Sequence, residues 1–556
     1  MTSWMFRDLG VRPYQPIPSG IAAASNSTDR GIKSHVAMKL SVALALAAAL
    51  YAQSPEARLI DQAAQALGGK DKLLSLKSLT IYGYGQLAYQ DGGGNITSSP
   101  DAPQKWANIR DSKRTIDLSS PDIRNGRMRL EQRQYQDFVF ATAAGMTGAQ
   151  RTIQSLDGNL AFNTNANGQS QRADPAARQR RIDLLDNPAV LIRTALDPVS
   201  KLTNLRTESS RRVMDLTTPS GDQITFALDT STNLPSWMQW VSAHPNYGDV
   251  TYRTTYTGYQ DEQGIRLPFG YNTVMDFRNI VYRKFYVDRY GINERIADLA
   301  IPAATRAAAP SSAPRYTIEA IPVAKGIWYM KGGAGNSTLY EFADHLTLFE
   351  CYGNEASTLA IIAKARSTVP GKPVTQCIVS HHHIDHSGGV RAAVSEGLEL
   401  VTHRGNVDYF KEVVGRPAKL FPDALGRNPK PLKILAVDEH LKLKDSAMEI
   451  DLYRAISNSH MANALFAHVP GLNLVSQGDF TDETWEQSFW ANTYPASVAY
   501  WKLKVDRDLS VHGNMHTYAE VLDQLRAQVK GAQALCAKAE AASLPLQGCP
   551  VVNLVQ

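Results

Sequence analysis

Residues 380–389 read Ser380-His381-His382-His383-Ile384-Asp385-His386-Ser387-Gly388-Gly389 and follow a short apolar run that ends at Val379. Ten of the thirteen histidines lie after residue 380, so the histidine chemistry is concentrated in the second half of the chain. Imidazole and carboxylate groups together suit zinc, which binds nitrogen and oxygen at ~2.0–2.2 Å. With this spacing, the alternate side chains of His381 and His383 are directed toward one point. The next pair, Asp385 and His386, is directed toward an adjacent point. Two glycines then let the backbone turn into a helix. The stretch predicts a metal-binding loop at the end of a strand.

This run resembles the signature of the metallo-β-lactamase-fold hydrolases, and the likeness continues downstream in the family's order. The segment at Ser459-His460 is similar to the one that carries the family's third histidine. The run ending at Asp479 is similar to the strand end with the bridging aspartate, and His512-Gly513 to the strand end with the last histidine. The resemblance covers residues 318–530 and implies an αββα-sandwich domain there.

The resemblance also implies a ligand set and a cofactor, two Zn²⁺ ions per chain. The first ion would take His381, His383 and His460. The second would take Asp385, His386 and His512, with Asp479 bridging both. Asp385 would also orient the nucleophile or pass a proton, which makes it the expected catalytic residue.

The remaining histidines near the motif need separate interpretations. We expect His382 to point away from the metals, either as a packing residue or as a residue that contacts a ligand without binding the metal. His516 lies four residues after His512 and competes with it for the last ligand position. The other histidines of this region lack the motif context and are expected to be ordinary surface or core residues: His403, His440 and His468.

The sequence departs from the usual family pattern at two positions. Glu350 stands where the family commonly has an aspartate that supports the metal loop, and it either takes the same supporting role or is merely a different residue there. Asn463 stands where many relatives carry an acid. Neither position belongs to the seven expected ligands.

The chain of 556 residues is too long for one core and suits two or three domains. Residues 301–315 contain three prolines and no large apolar side chain except Ile301, which predicts an exposed, partly extended connection. The predicted organisation is an upstream extension with a signal segment (1–52), an antiparallel β-rich α+β domain (54–300), a linker (301–317), the catalytic domain (318–530) and a C-terminal tail (531–556). The opening of the second segment, at Ala66 to Gly83, weakly resembles exported lipoprotein carriers, whose curved sheet wraps a helix.

Residues 38–52 have the parts of a secretory signal, with a basic start at Lys39, an apolar run and the small residue Ala52 at the expected cleavage point. We therefore expect a periplasmic or secreted bacterial protein. The apolar run is too short to span a bilayer, so no transmembrane segment is expected. Residues 1–52 account for +3 of the net charge of +5, which leaves no dense basic face for nucleic acid.

The four cysteines are too few for a disulfide scaffold. Cys536 and Cys549 flank a short C-terminal loop. In an oxidising compartment they either form a disulfide or remain two free thiols.

Together these features predict a dinuclear zinc hydrolase whose metal-bound hydroxide attacks a carbonyl carbon. The expected partner is a small-molecule substrate, an ester or a lactone, with β-lactam hydrolysis as the alternative at the same site. Two alternatives of other classes are a carrier of hydrophobic ligands with a secondary metal domain, and an iron-dependent redox enzyme. Aromatic side chains after Asp479 line either a core or the substrate entrance: Phe480, Trp485, Phe489, Trp490, Tyr494, Tyr500 and Trp501.

Overall fold

The computed structural model describes residues 54–90, 95–136, 150–456, 458–543 and Cys549. The predicted signal segment, and the tail beyond residue 543 except Cys549, lie outside these residues. Within the described part of the chain, no helix combines the length and apolarity needed to cross a membrane.

The first half forms one antiparallel sheet of thirteen strands in the order β6-β5-β4-β3-β2-β1-β13-β12-β11-β10-β9-β8-β7. Alternation of buried and exposed side chains along the strands gives the sheet one face toward a core, as the period-2 runs predict. The strands are β1 (Ser78–Ala88), β2 (Trp106–Asp117), β3 (Arg127–Gln136), β4 (Gln150–Asp157), β5 (Leu160–Thr164), β6 (Ser170–Arg172), β7 (Lys201–Glu208), β8 (Arg211–Thr217), β9 (Gln223–Asp229), β10 (Pro235–His244), β11 (Gly248–Glu262), β12 (Ile265–Met275) and β13 (Val281–Ile292).

Among the residues that the structure describes, four helices pack on this sheet, two before it and two in the crossover from β6 to β7. Their buried apolar residues, such as Ile60 and Ile192, join those of the strands in one cluster. The helices are α1 (Pro55–Ala66), α2 (Lys70–Ser75), α3 (Ala177–Leu185) and α4 (Pro188–Ala195).

The Ala/Pro segment after β13 is less open than its composition predicts. It contains a five-residue helix, α5 (Ala303–Ala307), and Thr305 in that helix is buried. The Ser311 backbone N–H donates to Asp174 at 2.7 Å, and Arg306 pairs with Asp157. Side chains of the first half therefore hold this segment against the surface of that half.

The second half begins with a seven-stranded sheet in the order β14 to β20, in which β17, β18, β19 and β20 run parallel. Its central strands are short apolar runs that are buried on both faces, as expected for parallel strands covered by other layers. The strands are β14 (Glu319–Ala324), β15 (Ile327–Lys331), β16 (Ser337–Glu341), β17 (Leu346–Phe349), β18 (Val374–Ile378), β19 (Glu399–His403) and β20 (Ile434–Val437).

A six-stranded sheet follows in the order β21 to β26, with β24 and β25 parallel. One buried cluster joins its inner face to the seven-stranded sheet, for example through Leu452 and Phe349. The strands are β21 (His440–Lys444), β22 (Glu449–Arg454), β23 (Leu465–Val469), β24 (Leu474–Gln477), β25 (Arg507–Ser510) and β26 (Met515–Thr517).

Helices cover the outer faces of both sheets. Ile361 and Phe410 pack on the seven-stranded sheet, and Val521 and Tyr494 pack on the six-stranded sheet. The helices are α6 (Glu355–Thr368), α7 (Ile384–Ser387), α8 (Val390–Ser395), α9 (Val407–Gly415), α10 (Ala424–Arg427), α11 (Thr493–Tyr500) and α12 (Tyr518–Ala541). The last helix continues through residue 530, the expected end of the catalytic domain.

The two halves are joined by polar contacts near Asp249. Its carboxylate accepts backbone N–H groups of Lys419 and Leu420 at 2.6 and 2.7 Å. Arg278 of the first half donates to Glu412 at 2.7 Å. These contacts place the first half beside the loops that carry the histidines.

Two disulfides link the four cysteines, Cys351 to Cys377 and Cys536 to Cys549. The second is one of the two alternatives left open by the sequence. The first was not predicted, because its cysteines become neighbours only through the pairing of β17 with β18.

We expect protein prepared under oxidising conditions and unfolded without reductant to show no reactive thiol. Each disulfide closes a short loop and should stabilise the fold by about 3 kcal/mol, because it restricts the unfolded chain. Thiol titration before and after reduction, followed by denaturant unfolding, measures both effects. Four thiols in the unreduced protein would contradict this assignment.

Candidate metal centre

The seven ligands proposed from sequence lie together in two groups, at loops that follow strands of both sheets. One loop follows β18 and another follows β24. A third follows β25, and the fourth joins β22 to β23. The first group consists of His381, His383, His460 and Asp479; the second consists of Asp385, His386, Asp479 and His512.

The nitrogen and oxygen atoms of the first group point at a common centre. His381 Nε2 lies 2.9 Å from His383 Nδ1 and 3.5 Å from Asp479 Oδ2. His460 Nε2 lies 2.8 Å from the same carboxylate oxygen. Ligands at ~2.1 Å around a tetrahedral zinc ion are roughly 3.4 Å apart, so this donor set has the size and chemistry of a zinc site.

The second group uses the other oxygen of the same aspartate. Asp479 Oδ1 lies 2.8 Å from His386 Nε2 and 2.9 Å from His512 Nε2. Asp385 Oδ2 lies 3.5 Å from His386 Nε2 and 3.8 Å from His512 Nε2. One carboxylate thus faces both groups, which is the arrangement expected of a bridging ligand.

In each of the three proposed ligand histidines of the metal loop, the ring nitrogen that faces away from its group contacts a residue that fixes the ring. His383 Nε2 lies 2.9 Å from the backbone carbonyl of Asn95, and because a carbonyl only accepts, the ring donates there and leaves Nδ1 for the first group. His381 Nδ1 lies 2.9 Å from the hydroxyl of Ser380. The first half of the chain therefore supplies one of the contacts that orient the ligands.

Glu350 supports the metal loop through contacts with Ser380 and His386. It is fully buried, its Oε1 accepts the Ser380 backbone N–H at 3.0 Å, and the same oxygen lies 3.4 Å from His386 Nδ1. Its backbone is in the left-handed region, with φ of 80°. Of the two interpretations left open by the sequence, these contacts favour the supporting one. The Asn463 side chain, in contrast, lies against Gly405.

The glycines after the loop are needed for space rather than for an unusual backbone angle. Gly388 and Gly389 have φ of −63° and −97°. A Cβ on Gly388 would lie 2.0 Å from the carbonyl oxygen of Gly353, and one on Gly389 would lie 1.7 Å from the hydroxyl of Thr358. Close approach of two chain segments therefore requires glycine here.

The two groups differ in their electrostatics. Burial lowers the pKa of His381, His383 and His460. Burial also acts against protonation of His386 and His512, but the Asp479 charge outweighs it and raises the pKa of both. The first group thus favours neutral imidazoles, whereas the Asp479 charge favours protonation of the two imidazoles in the second group.

The other histidines lie outside both groups. His516 Nε2 faces Glu483 at 3.2 Å, and His440 faces Asp451 at 2.7 Å. His468 faces the backbone of Lys504, and His403 accepts the Gly405 backbone N–H. His382 belongs to neither group, is buried and lines a cavity together with Tyr409.

Most aromatic residues after Asp479 are core residues, as one of the two interpretations holds. Phe480, Phe489, Trp490 and Tyr494 are buried. Residues 485–489 form an irregular segment without a helix. Trp490 stacks on the His460 ring at 4.1 Å, and the half-buried Trp485 lies 6.1 Å from the His512 ring.

Tyr352 is a residue of the site that the sequence analysis missed. Its hydroxyl donates to Asp385 Oδ2 at 3.3 Å and lies 3.4 Å from His512 Nε2. Tyr352 and the Asn95 carbonyl carry no motif and come from distant positions, so the sequence offers no signal for either.

The two sheets form an α/β fold, and their loops present two groups of histidine and aspartate side chains that share one carboxylate and could hold metal ions. The profile of the Metallo-beta-lactamase superfamily matches residues 330–409, which include the loop from His381 to His386. The predicted resemblance to that superfamily is thereby confirmed for the part of the second half that the profile matches. The resemblance of the first half to lipoprotein carriers stays a prediction.

The chain is also similar to several solved structures at low identity. A metallo-beta-lactamase from Pontibacter korlensis is 15% identical and has a TM-score of 0.30, with coverage of 38% of this chain and 100% of its own. One from Hirschia baltica is 17% identical and has a TM-score of 0.28, with coverage of 37% and 95%. One from Erythrobacter litoralis is 15% identical and has a TM-score of 0.30, with coverage of 38% and 96%. No protein with a curated description matches the chain.

Proposed function

We propose that this protein is a dinuclear zinc hydrolase that cleaves a carbonyl substrate, an ester or a lactone. The observation that carries the proposal is the Asp479 carboxylate, whose two oxygens face two separate sets of imidazole and carboxylate donors. His381, His383 and His460 would hold the first ion, and Asp385, His386 and His512 the second. When bound, zinc acts as a Lewis acid that polarises a carbonyl and lowers the pKa of water.

The residues of the chain orient and complete this site. Ser380, Glu350 and the Asn95 carbonyl fix the ligand rings, as described above. Asp385 is the ligand carboxylate nearest to solvent, with 16% of its side chain exposed against 4% for Asp479. The Tyr352 hydroxyl donates to Asp385 Oδ2, so that carboxylate is held in place to orient a water molecule or accept its proton.

We also propose that the second half is an αββα sandwich. The shared cluster between its two sheets and the helices on their outer faces support this description.

The charge around the site favours an uncharged acyl substrate over a polyanion. Asp482, Glu483 and Glu486 follow the bridging aspartate. A nucleic-acid substrate would need basic residues to hold its phosphates. The reacting group is therefore proposed to be a carbonyl, with a β-lactam as the second candidate because the same donors would serve that ring.

We further propose export to the periplasm or the medium. The signal-like sequence at 38–52 supports it, and so do the two disulfides, which persist in oxidising compartments.

Steady-state assays of zinc-loaded protein test the substrate class. We expect turnover of an aryl ester or an acyl lactone, because each contains a carbonyl carbon of the kind that the proposed reaction attacks. A chromogenic cephalosporin tests the β-lactam alternative. A bis-aryl phosphate tests for phosphodiester hydrolysis, which we do not expect. A His381→Ala variant assayed in parallel controls for contaminating esterases. Turnover of the phosphate alone would refute the proposal.

A further inference from the structure

The disulfide between Cys351 and Cys377 joins two chain segments that adjoin the metal loop. Cys377 belongs to β18, the strand that leads into this loop, and Cys351 lies two residues after the end of β17 at Phe349. Both cysteines are buried, with exposed fractions of 0% and 1%. We call residues 350–353, which include Cys351, the support segment. The disulfide therefore links the support segment covalently to the strand that carries the metal loop.

The support segment contacts the metal loop near its start and near its end. At the start, the Ser380 backbone N–H donates to the Glu350 carboxylate at 3.0 Å. Near the end, the Gly353 backbone N–H donates to the carbonyl oxygen of Asp385 at 2.6 Å. The Gly353 carbonyl oxygen also lies against Gly388, which leaves no room for a Cβ there. Because interiors are close-packed, segments in such contact do not shift independently.

Tyr352, the third residue of the support segment, contacts each of the three ligands that belong to the second group alone. Its hydroxyl lies 3.3 Å from Asp385 Oδ2 and 3.4 Å from His512 Nε2. Its ring makes edge-to-face contacts with His386 and His512, at centroid distances of 4.9 and 5.3 Å. The position of Tyr352 therefore bears on the second group.

Hydrogen bonds fix the first residue of the support segment. The Glu350 backbone N–H donates to the Ile378 carbonyl at 3.0 Å, and the Ser337 hydroxyl donates to the Glu350 carbonyl at 2.8 Å. Beyond this residue the chain leaves the sheet, since β17 ends at Phe349. The disulfide is the next anchor along the chain, one residue before Tyr352.

We propose that the disulfide between Cys351 and Cys377 positions the second group for its metal ion, acting through Tyr352 and Gly353. The cysteines and Tyr352 are then positioning residues. Groups that orient metal ligands are worth about 10–100-fold in metal affinity, because the ligand side chains are otherwise free to turn away. The inference rests on the proposed function for the two metal sites. It extends that function by making affinity for the second ion depend on an oxidised cysteine pair.

Zinc titration of metal-free protein in competition with a chromophoric chelator tests the inference. We expect two dissociation constants for the wild type. Cys351→Ala/Cys377→Ala should raise the constant of the second ion by about 10–100-fold and leave that of the first ion unchanged. Adding the same pair of substitutions to His512→Ala, which keeps only the first group complete, should leave the remaining constant unchanged.

The control is Cys536→Ala/Cys549→Ala, which removes the disulfide between α12 and Cys549, outside both groups. Both double variants should lower the melting temperature of the metal-free protein, because each loses a crosslink that restricts the unfolded chain. Only the first should weaken binding of the second ion. Equal constants for the second ion in the two double variants would overturn the inference.

Tyr352→Phe keeps the disulfide and removes only the hydroxyl that faces Asp385 and His512. It should raise the dissociation constant of the second ion about tenfold without changing that of the first. This variant decides the question if Cys351→Ala/Cys377→Ala does not fold. An unchanged constant for the second ion in Tyr352→Phe would then overturn the inference.

The zinc constants are measured without substrate, so the inference and the proposed function can fail separately. Selective weakening of the second ion in a protein that hydrolyses no ester would uphold the inference and refute the hydrolase. Unchanged zinc constants in variants of a protein that does hydrolyse an ester would overturn the inference alone. A wild type that binds only one zinc ion would refute the dinuclear site and the inference together.

Discussion

Asp479→Ala should remove metal from both groups at once, because this side chain gives Oδ2 to the first group and Oδ1 to the second. We expect zinc content to fall from about two ions per chain to less than one. Hydrolysis should fall at least about a hundredfold, since even the outer partners of metal ligands are worth 10–100-fold in affinity. Metal analysis of dialysed protein and steady-state kinetics measure the two effects.

Asp482→Ala is the matched control for this variant. Asp482 lies three residues further on, outside both groups, and its carboxylate accepts hydrogen bonds from Thr484. It should leave zinc content and activity near those of the wild type. Retention of two zinc ions by Asp479→Ala would contradict the bridging role. Native protein that contained one iron and no zinc would contradict the dinuclear zinc assignment.

His512→Ala should empty the second group alone. Its Nε2 lies 2.9 Å from Asp479 Oδ1 and 3.3 Å from His386 Nε2, so its loss removes one donor and leaves the first group intact. We expect zinc content to fall from about two ions to one, with a large loss of kcat, since a two-metal site uses both ions on the reacting oxygens.

His516→Ala is the control, because the sequence alone does not exclude His516 as the last ligand. Its ring faces Glu483 and lies outside both groups. Zinc content should stay at about two. The opposite pattern, with metal lost only in His516→Ala, would move the last ligand to His516.

The sequence determined the order of the two halves and the candidate ligands. Alternating runs such as the one that forms β9, and short apolar runs such as Leu346 to Phe349, follow from local periodicity, so sheet and helix segments could be assigned along the chain. The loop from His381 to His386 is equally local, because its spacing alone distributes the side chains between two points. The bridging position of Asp479 came from resemblance to a family rather than from the residues themselves.

Only the tertiary structure decided which distant groups complete the site. Asn95 reaches His383 because the first half docks beside the metal loop, and Cys351 meets Cys377 because β17 pairs with β18. The choice of His512 over His516 likewise depends on which way β25 and the turn after it direct each ring. Local sequence patterns indicate which helices and strands form. Contacts between segments far apart in sequence depend instead on how the sheets and the two halves pack. The cavity beside His382 and Tyr409, whose walls come from both halves, could for that reason not be predicted from the sequence.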